Sequence, residues 1–171
     1  MNITDDDFTL MDMPQRFAMD LAVLDQRWRT LQLHVHPDRF ASQGSVAQRL
    51  AMQWSTRINE AYRRLQQPIA RAAYLCQLHG IDIQAQHNTR MPPEFLMQQM
   101  AWREALDEAH DQLALQTLLD TVQTAAADIQ VQIESLIDIQ ADYTQAAQQV
   151  RAWMFIDKFL HDVTARQTAL R

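Results

Sequence analysis

Only two glycines, Gly44 and Gly80, interrupt 171 residues in which apolar side chains recur at steps of three and four. A chain so poor in glycine and so rich in Ala, Gln, Leu, Met and Arg favours helix over sheet along nearly its whole length. An all-α fold is the expectation. Leu21, Leu24, Trp28, Leu31 and Val35 make one apolar stripe of a helix, with Asp20 standing as its N-cap. Pro37 has no backbone N–H and turns the residue before it away from the helical region. The helix is therefore expected to stop near Val35 and to leave His36 at a corner. Asp38 suits a turn there, with a short carboxylate able to accept from backbone N–H groups a residue or two on and so fix the loop.

Past Gly44 a second long segment opens at Ser45 and carries Ala47, Leu50, Trp54, Ile58, Ala61 and Leu65 on one face. Pro68 ends that helix and suits the first turn of the next, which runs through Ile69, Ala72, Ala73 and Leu75 to a stop at Gly80. Residues 81–92, with His87, Asn88 and Pro92, lose the periodicity and are read as a joint. It divides an N-terminal block, 1–80, from a C-terminal block, 93–171. The latter holds three helical segments at roughly 93–110, 112–138 and 141–170. Leu115, Leu118, Val122, Ala125, Ile129, Ile133 and Leu136 form a long seam on the middle one. Short connections make neighbouring helices antiparallel, so the block reads as a three-helix bundle.

Composition narrows the function. A formal charge of −6 and the lack of any basic tract argue against nucleic-acid binding, which needs Lys and Arg clustered along phosphates. A single cysteine, Cys76, forms no internal disulfide and no cysteine-based zinc site; its ordinary role is a small buried hydrophobe. The acidic start at Asp5, Asp6 and Asp7 has no apolar signal region, and no apolar run reaches membrane-spanning length. The expectation is a cytoplasmic protein with no membrane and no nucleic-acid partner; its self-association is left open.

Two candidate contact sites emerge. The His36-Pro37-Asp38 corner sits at the mouth of a helical hairpin, where the fold has no evident need of those three residues. The second lies off the core stripe of the bundle. At about 100° per residue, Phe95, Trp102, Leu106 and Ala109 share one narrow stripe, whereas Leu96, Met97 and Met100 fall to one side among Arg103, Glu104 and Asp107. On the last helix Trp153, Ile156, Leu160 and Val163 share a stripe and Phe155 points away from it. An apolar patch rimmed by charge commonly marks a protein contact, and methionine suits an adaptable surface. Geometry alone leaves two readings open, a partner surface or a face packed against the rest of the chain.

The Phe8-Thr9-Leu10 start, the corner His36-Pro37-Asp38-Arg39-Phe40, the stretch Ile58-Asn59-Glu60-Ala61-Tyr62 and the stop Leu78-His79-Gly80 resemble the J domain of the HscB family of iron–sulfur co-chaperones. The C-terminal block is similar to the same family at Phe95-Leu96-Met97, Arg103-Glu104, Leu106-Asp107-Glu108 and Phe155-Ile156-Asp157-Lys158, so the resemblance spans nearly the whole chain. It implies a non-enzymatic adaptor without metal or cofactor. His36, Pro37 and Asp38 would contact the heat-shock-type chaperone HscA and stimulate its ATP hydrolysis, with Arg27, Arg29 and Arg39 around them. Leu96, Met97, Met100, Arg103, Glu104 and Phe155 would bind IscU, the scaffold on which the cluster is assembled. The chain differs from the family pattern at Leu33, Val35 and Ala101.

Two rival classes remain. His34, His36 and Asp38 are ligand types for a metal enzyme, but side chains two apart diverge on a helix, and there is neither an i, i+4 histidine pair nor a nearby Glu base. No glycine-rich phosphate loop exists for a nucleotide-hydrolysing enzyme. A J-domain adaptor for some other client is the second rival.

Overall fold

The computed structural model describes residues 1–84 and 91–170. Residues 85–90, which include His87 and Asn88 of the expected joint, lie outside the described residues, as does Arg171. The described residues are helical, with no strand among them, and fall into two compact units, Met1–Leu75 and Cys76–Arg171. That division falls inside a helix, ahead of the segment 81–92, because the last turn of that helix already packs with the second unit: the Cys76 Sγ lies 3.7 Å from the Tyr143 carbonyl, and the His79 and Tyr143 rings stack at 3.7 Å.

In the first unit a short helix α1 (Asp7–Leu10) is followed by α2 (Leu21–Val35), a 3-10 turn (Pro37–Gln43), α3 (Ser45–Gln66) and α4 (Pro68–Leu78). Asp20 caps α2 as expected, its carboxylate accepting from the Ala22 and Val23 N–H groups, and α2 ends at Val35, one residue before the corner. The hairpin of α2 and α3 is registered by polar contacts as well as by its core. Asn59 Oδ1 accepts from Trp28 Nε1 at 2.9 Å and from Gln32 Nε2 at 2.8 Å, and Ser55 Oγ donates to Gln32 Oε1 at 2.9 Å. The Trp28 and Tyr62 rings stack at 4.6 Å. Ile58, Ala61 and Leu65 are buried with Leu24, Phe8, Met11 and Leu75. The stretch Ile58–Tyr62 is thus a packing motif in which Ile58 and Ala61 serve the core while Asn59 and Tyr62 serve the polar seam.

Both apolar stripes of the hairpin run past the core: Leu21 and Leu50 are exposed, and on α3 burial begins at Ala51. A second tie crosses from α1 to α3. Asp7 is fully buried with its carboxylate 2.8 Å from Arg57 Nη1 and 2.9 Å from Arg64 Nε. Its oxygens meet the guanidinium groups off the hydrogen-bonding directions, so the pairing is chiefly Coulombic. Tyr74 stacks on Phe8, and its hydroxyl accepts from the Asp7 N–H at 3.0 Å.

The second unit is built on α5 (Pro93–Glu108), α6 (Gln112–Glu134), which continues as a π turn (Ser135–Ile139), and α7 (Tyr143–Ala169). Asp111 and Asp142 cap α6 and α7 through the Ala114 and Gln145 N–H groups. The core joins Trp102, Leu106 and Ala109 to Leu115, Leu118, Val122, Ile156, Phe159 and Val163, with Phe95, Ile129 and Leu160 packed around it. These belong to the expected stripes, extended by Phe159; Ile133 and Trp153 are buried outside this cluster, and at the end of the seam Ile137 is buried while the expected Leu136 is only partly so. No described helix is long and apolar enough to cross a membrane.

Candidate functional site: a proline corner and a helical patch

At the corner, the last hydrogen bond of α2 runs from the His36 N–H to the Gln32 carbonyl at 2.9 Å. The chain then tightens into the 3-10 turn, where the Arg39 N–H donates to the His36 carbonyl at 3.0 Å. The locking group differs from the expected one. His36 Nδ1 accepts from the Asp38 N–H at 3.3 Å, so the imidazole caps the turn, while the Asp38 side chain is 92% exposed with Oδ2 3.6 Å from that nitrogen. The ring reaches the first free N–H beyond Pro37, and that leaves the carboxylate open to solvent. Nδ1 as acceptor assigns the proton of the neutral ring to Nε2, on the side away from the turn.

The three flanking arginines do different things. Arg27 turns toward the N-terminal segment, with Nη1 3.8 Å from Asp12 Oδ2 and 3.4 Å from Met13 Sδ. Arg29, two positions on, is exposed, as a helix requires of residues about 200° apart. Arg39 donates from Nη1 to the Leu33 carbonyl at 2.6 Å. His34 Nδ1 lies 2.9 Å from the Thr30 carbonyl of its own helix, directed back along α2 and unlike His36. Among the described residues no group of three or more His, Cys, Asp or Glu is arranged to hold a metal ion.

On the bundle, α5 presents Leu96, Met97 and Met100 at 46%, 69% and 72% exposure, and α7 adds Phe155 at 49%. Phe155 is brought to the patch by a tilted contact with Phe95, ring centres 6.2 Å apart. Beside it a cleft of about 320 Å³ opens between α5 and α7, lined by Gln99, Met100, Trp102, Arg103, Phe155 and Lys158 among others. Arg103 bridges the rim: Nη1 is 3.2 Å from Asp162 Oδ2, and its guanidinium lies 5.1 Å above the Phe159 ring. Glu104 is exposed on the same helix. Met100, Arg103 and Phe155 therefore meet at one cleft, apolar in the middle and charged at the edge, and Leu96 and Met97 are exposed on the same helix, α5. Sequence reasoning did not assign Lys158, Phe159 or Asp162 to the patch. Phe159 stands four residues after Phe155 and three after Ile156, a spacing that marks it as a floor residue.

Residues 91–164 match the family model described as the HSCB C-terminal oligomerisation domain. The chain is 46% identical over 164 residues to the co-chaperone protein HscB homologue of Bordetella avium, a match covering 95% of this chain and 98% of that one. It is 45% identical over 165 residues to the homologue from Cupriavidus taiwanensis, covering 95% and 93% of the two chains. The crystal structure of the human co-chaperone protein HscB superposes with a TM-score of 0.90 at 28% identity, covering 98% of this chain and 84% of the human one. Chaperone HscB from Vibrio cholerae gives 0.85 at 31% identity, over 98% and 100% of the chains. By full-length relatedness, and with a corner and a patch built from its own residues, the chain belongs to the HscB co-chaperone family.

Proposed function

We propose that this HscB-family co-chaperone of iron–sulfur cluster assembly captures the scaffold protein IscU on the α5–α7 patch and delivers it to the chaperone HscA, stimulating ATP hydrolysis by HscA. The protein works in the cytoplasm and performs no chemistry itself. In this reading residues 1–80 act as the J domain, residues 81–92 as the joint and residues 93–171 as the scaffold-binding block. The observation that carries the chaperone half is the corner: His36, Pro37 and Asp38 are held in one shape by bonds within the turn while the Asp38 carboxylate stays open to solvent. An anion in a pre-shaped bend suits a charge-assisted bond to a basic group on a partner, and its rigidity lowers the ordering cost of docking. Arg29, with Arg27 nearby, supplies a cation for steering toward an acidic chaperone face, and Arg39 borders the corner. The scaffold half rests on Leu96, Met97, Met100 and Phe155, whose exposure leaves them free to bury against a partner, with Arg103 and Glu104 at the rim.

The test is an ATPase assay with HscA, with and without IscU. Wild-type protein is expected to accelerate hydrolysis, the more so with IscU present, while His36→Gln, in which the Nδ1 acceptor is lost, abolishes the effect and still binds IscU. Stimulation by His36→Gln equal to wild type overturns the chaperone assignment.

A further inference from the structure

Pro37 creates a problem that a residue outside the tripeptide solves. In a continuing α-helix the Leu33 carbonyl would accept from the N–H four positions on. That position is Pro37, which has no N–H, so the bend that makes the corner also leaves a carbonyl of the last turn without its helical donor. The Gln32 carbonyl still has one, the His36 N–H. At Leu33 the missing donor is supplied by a side chain: Arg39 Nη1 stands 2.6 Å from the carbonyl oxygen. The backbone of the same residue donates to the His36 carbonyl at 3.0 Å. Arg39 thus grips the end of α2 twice, once by its main chain and once by its guanidinium, and the His36-Pro37-Asp38 segment lies in the loop closed between those grips.

We infer that Arg39 is a positioning residue: its guanidinium replaces the N–H that Pro37 lacks, staples the 3-10 turn to α2, and so holds the corner in the conformation the chaperone reads, without itself meeting the chaperone. This rests on the proposed role of the corner and refines it, since Arg39 becomes part of the corner's scaffold and the steering charge is left to Arg29. A donor is what the site demands. Lysine retains one, although as a point charge without the planar fork; alanine retains none.

Two measurements on the full-length chain test the inference. In the free protein, amide hydrogen exchange at Asp38 and Arg39 is expected to speed up at least about tenfold in Arg39→Ala and to stay near wild type in Arg39→Lys. In the HscA ATPase assay, Arg39→Ala is expected to raise the half-saturating concentration about tenfold, because only a fraction of molecules holds the competent corner. Maximal stimulation and the salt dependence of half-saturation stay unchanged. Exchange in Arg39→Ala equal to wild type overturns the staple. So does a rise in half-saturation with a flattened salt dependence that Arg39→Lys restores fully, which is the signature of a direct charge contact. Should wild-type protein fail to stimulate HscA while the exchange responds as expected, the proposed function fails and the staple stands.

Discussion

Asp7 shows how much one residue can carry without advertising it. Three aspartates open the chain, and a run of like charges reads as a solvated tail; the second caps α1, while the third is fully buried between Arg57 and Arg64. Removing one partner of a buried ionic group leaves the others uncompensated, so Asp7→Ala is expected to cost about 3 to 5 kcal/mol in a denaturant melt of the intact chain. A loss below about 1 kcal/mol would mean that the two guanidinium groups find water instead. Cys76 is the opposite case, a residue whose composition-level reading as a small buried hydrophobe holds. Burial pushes its thiol up to about 11 from 9.0. A folded-state value above the unfolded one stabilises the fold fully below pH 9, and this stabilisation fades as pH rises through the folded value. At pH 8 the folded protein is therefore expected to react with a thiol reagent only on unfolding; stoichiometric labelling within the dead time of mixing would refute this. His36 belongs at this scale too. Spacing identified the corner, but which side chain locks it depends on reach, and the imidazole ring extends to the first N–H beyond the proline whereas Asp38 points outward.

Among elements, the starts and stops were the most legible. Asp20, Pro37, Pro68 and Gly80 each act on backbone within a few positions, and α2, α3 and α4 obey them. At the end of α4 the Ile81 N–H donates to the Cys76 carbonyl and the Gly80 N–H to the Gln77 carbonyl, both at 3.0 Å, with Gly80 at φ +83°. This is the Schellman closure, which needs a left-handed residue. A Cβ on Gly80 would meet no atom within 4 Å, so Gly80→Ala carries only the conformational penalty of positive φ. A loss of about 1 kcal/mol is expected from a thermal melt; a loss several times larger would point to a clash the structure does not contain. Less legible was the run of apolar stripes beyond the core. Periodicity assigns Leu21 and Leu50 to the same faces as Leu24 and Ile58, but whether a face is covered depends on which neighbour reaches it, and neither residue is covered. The π turn at Ser135–Ile139 carries no sequence mark that distinguished it from the α-helix expected to 138.

For the whole molecule, the two candidate surfaces fall on separate units, so each is open to change without the other. Replacing Leu96, Met100 and Phe155 together by alanine is expected to leave the melting temperature within a few degrees of wild type, since these side chains are 46%, 72% and 49% exposed, and to abolish IscU binding in a titration while retaining HscA stimulation in the absence of scaffold. Were they core residues, each change would cost about 2 to 5 kcal/mol and the bundle would unfold; a collapsed melt would thus refute the surface reading. What the chain determined by itself was its helical class, its caps and corners, and most members of each apolar stripe, because all of these are settled among residues within about one or two turns of each other. Only the tertiary structure decided that Asp7 is buried between two arginines of α3, that Asn59 registers the hairpin, and that Arg103 meets Asp162, 59 positions away, across the α5–α7 cleft. Such pairings follow from how helices cross and how far each side chain reaches, and a period of 3.6 residues says which face turns inward but not what it will meet there.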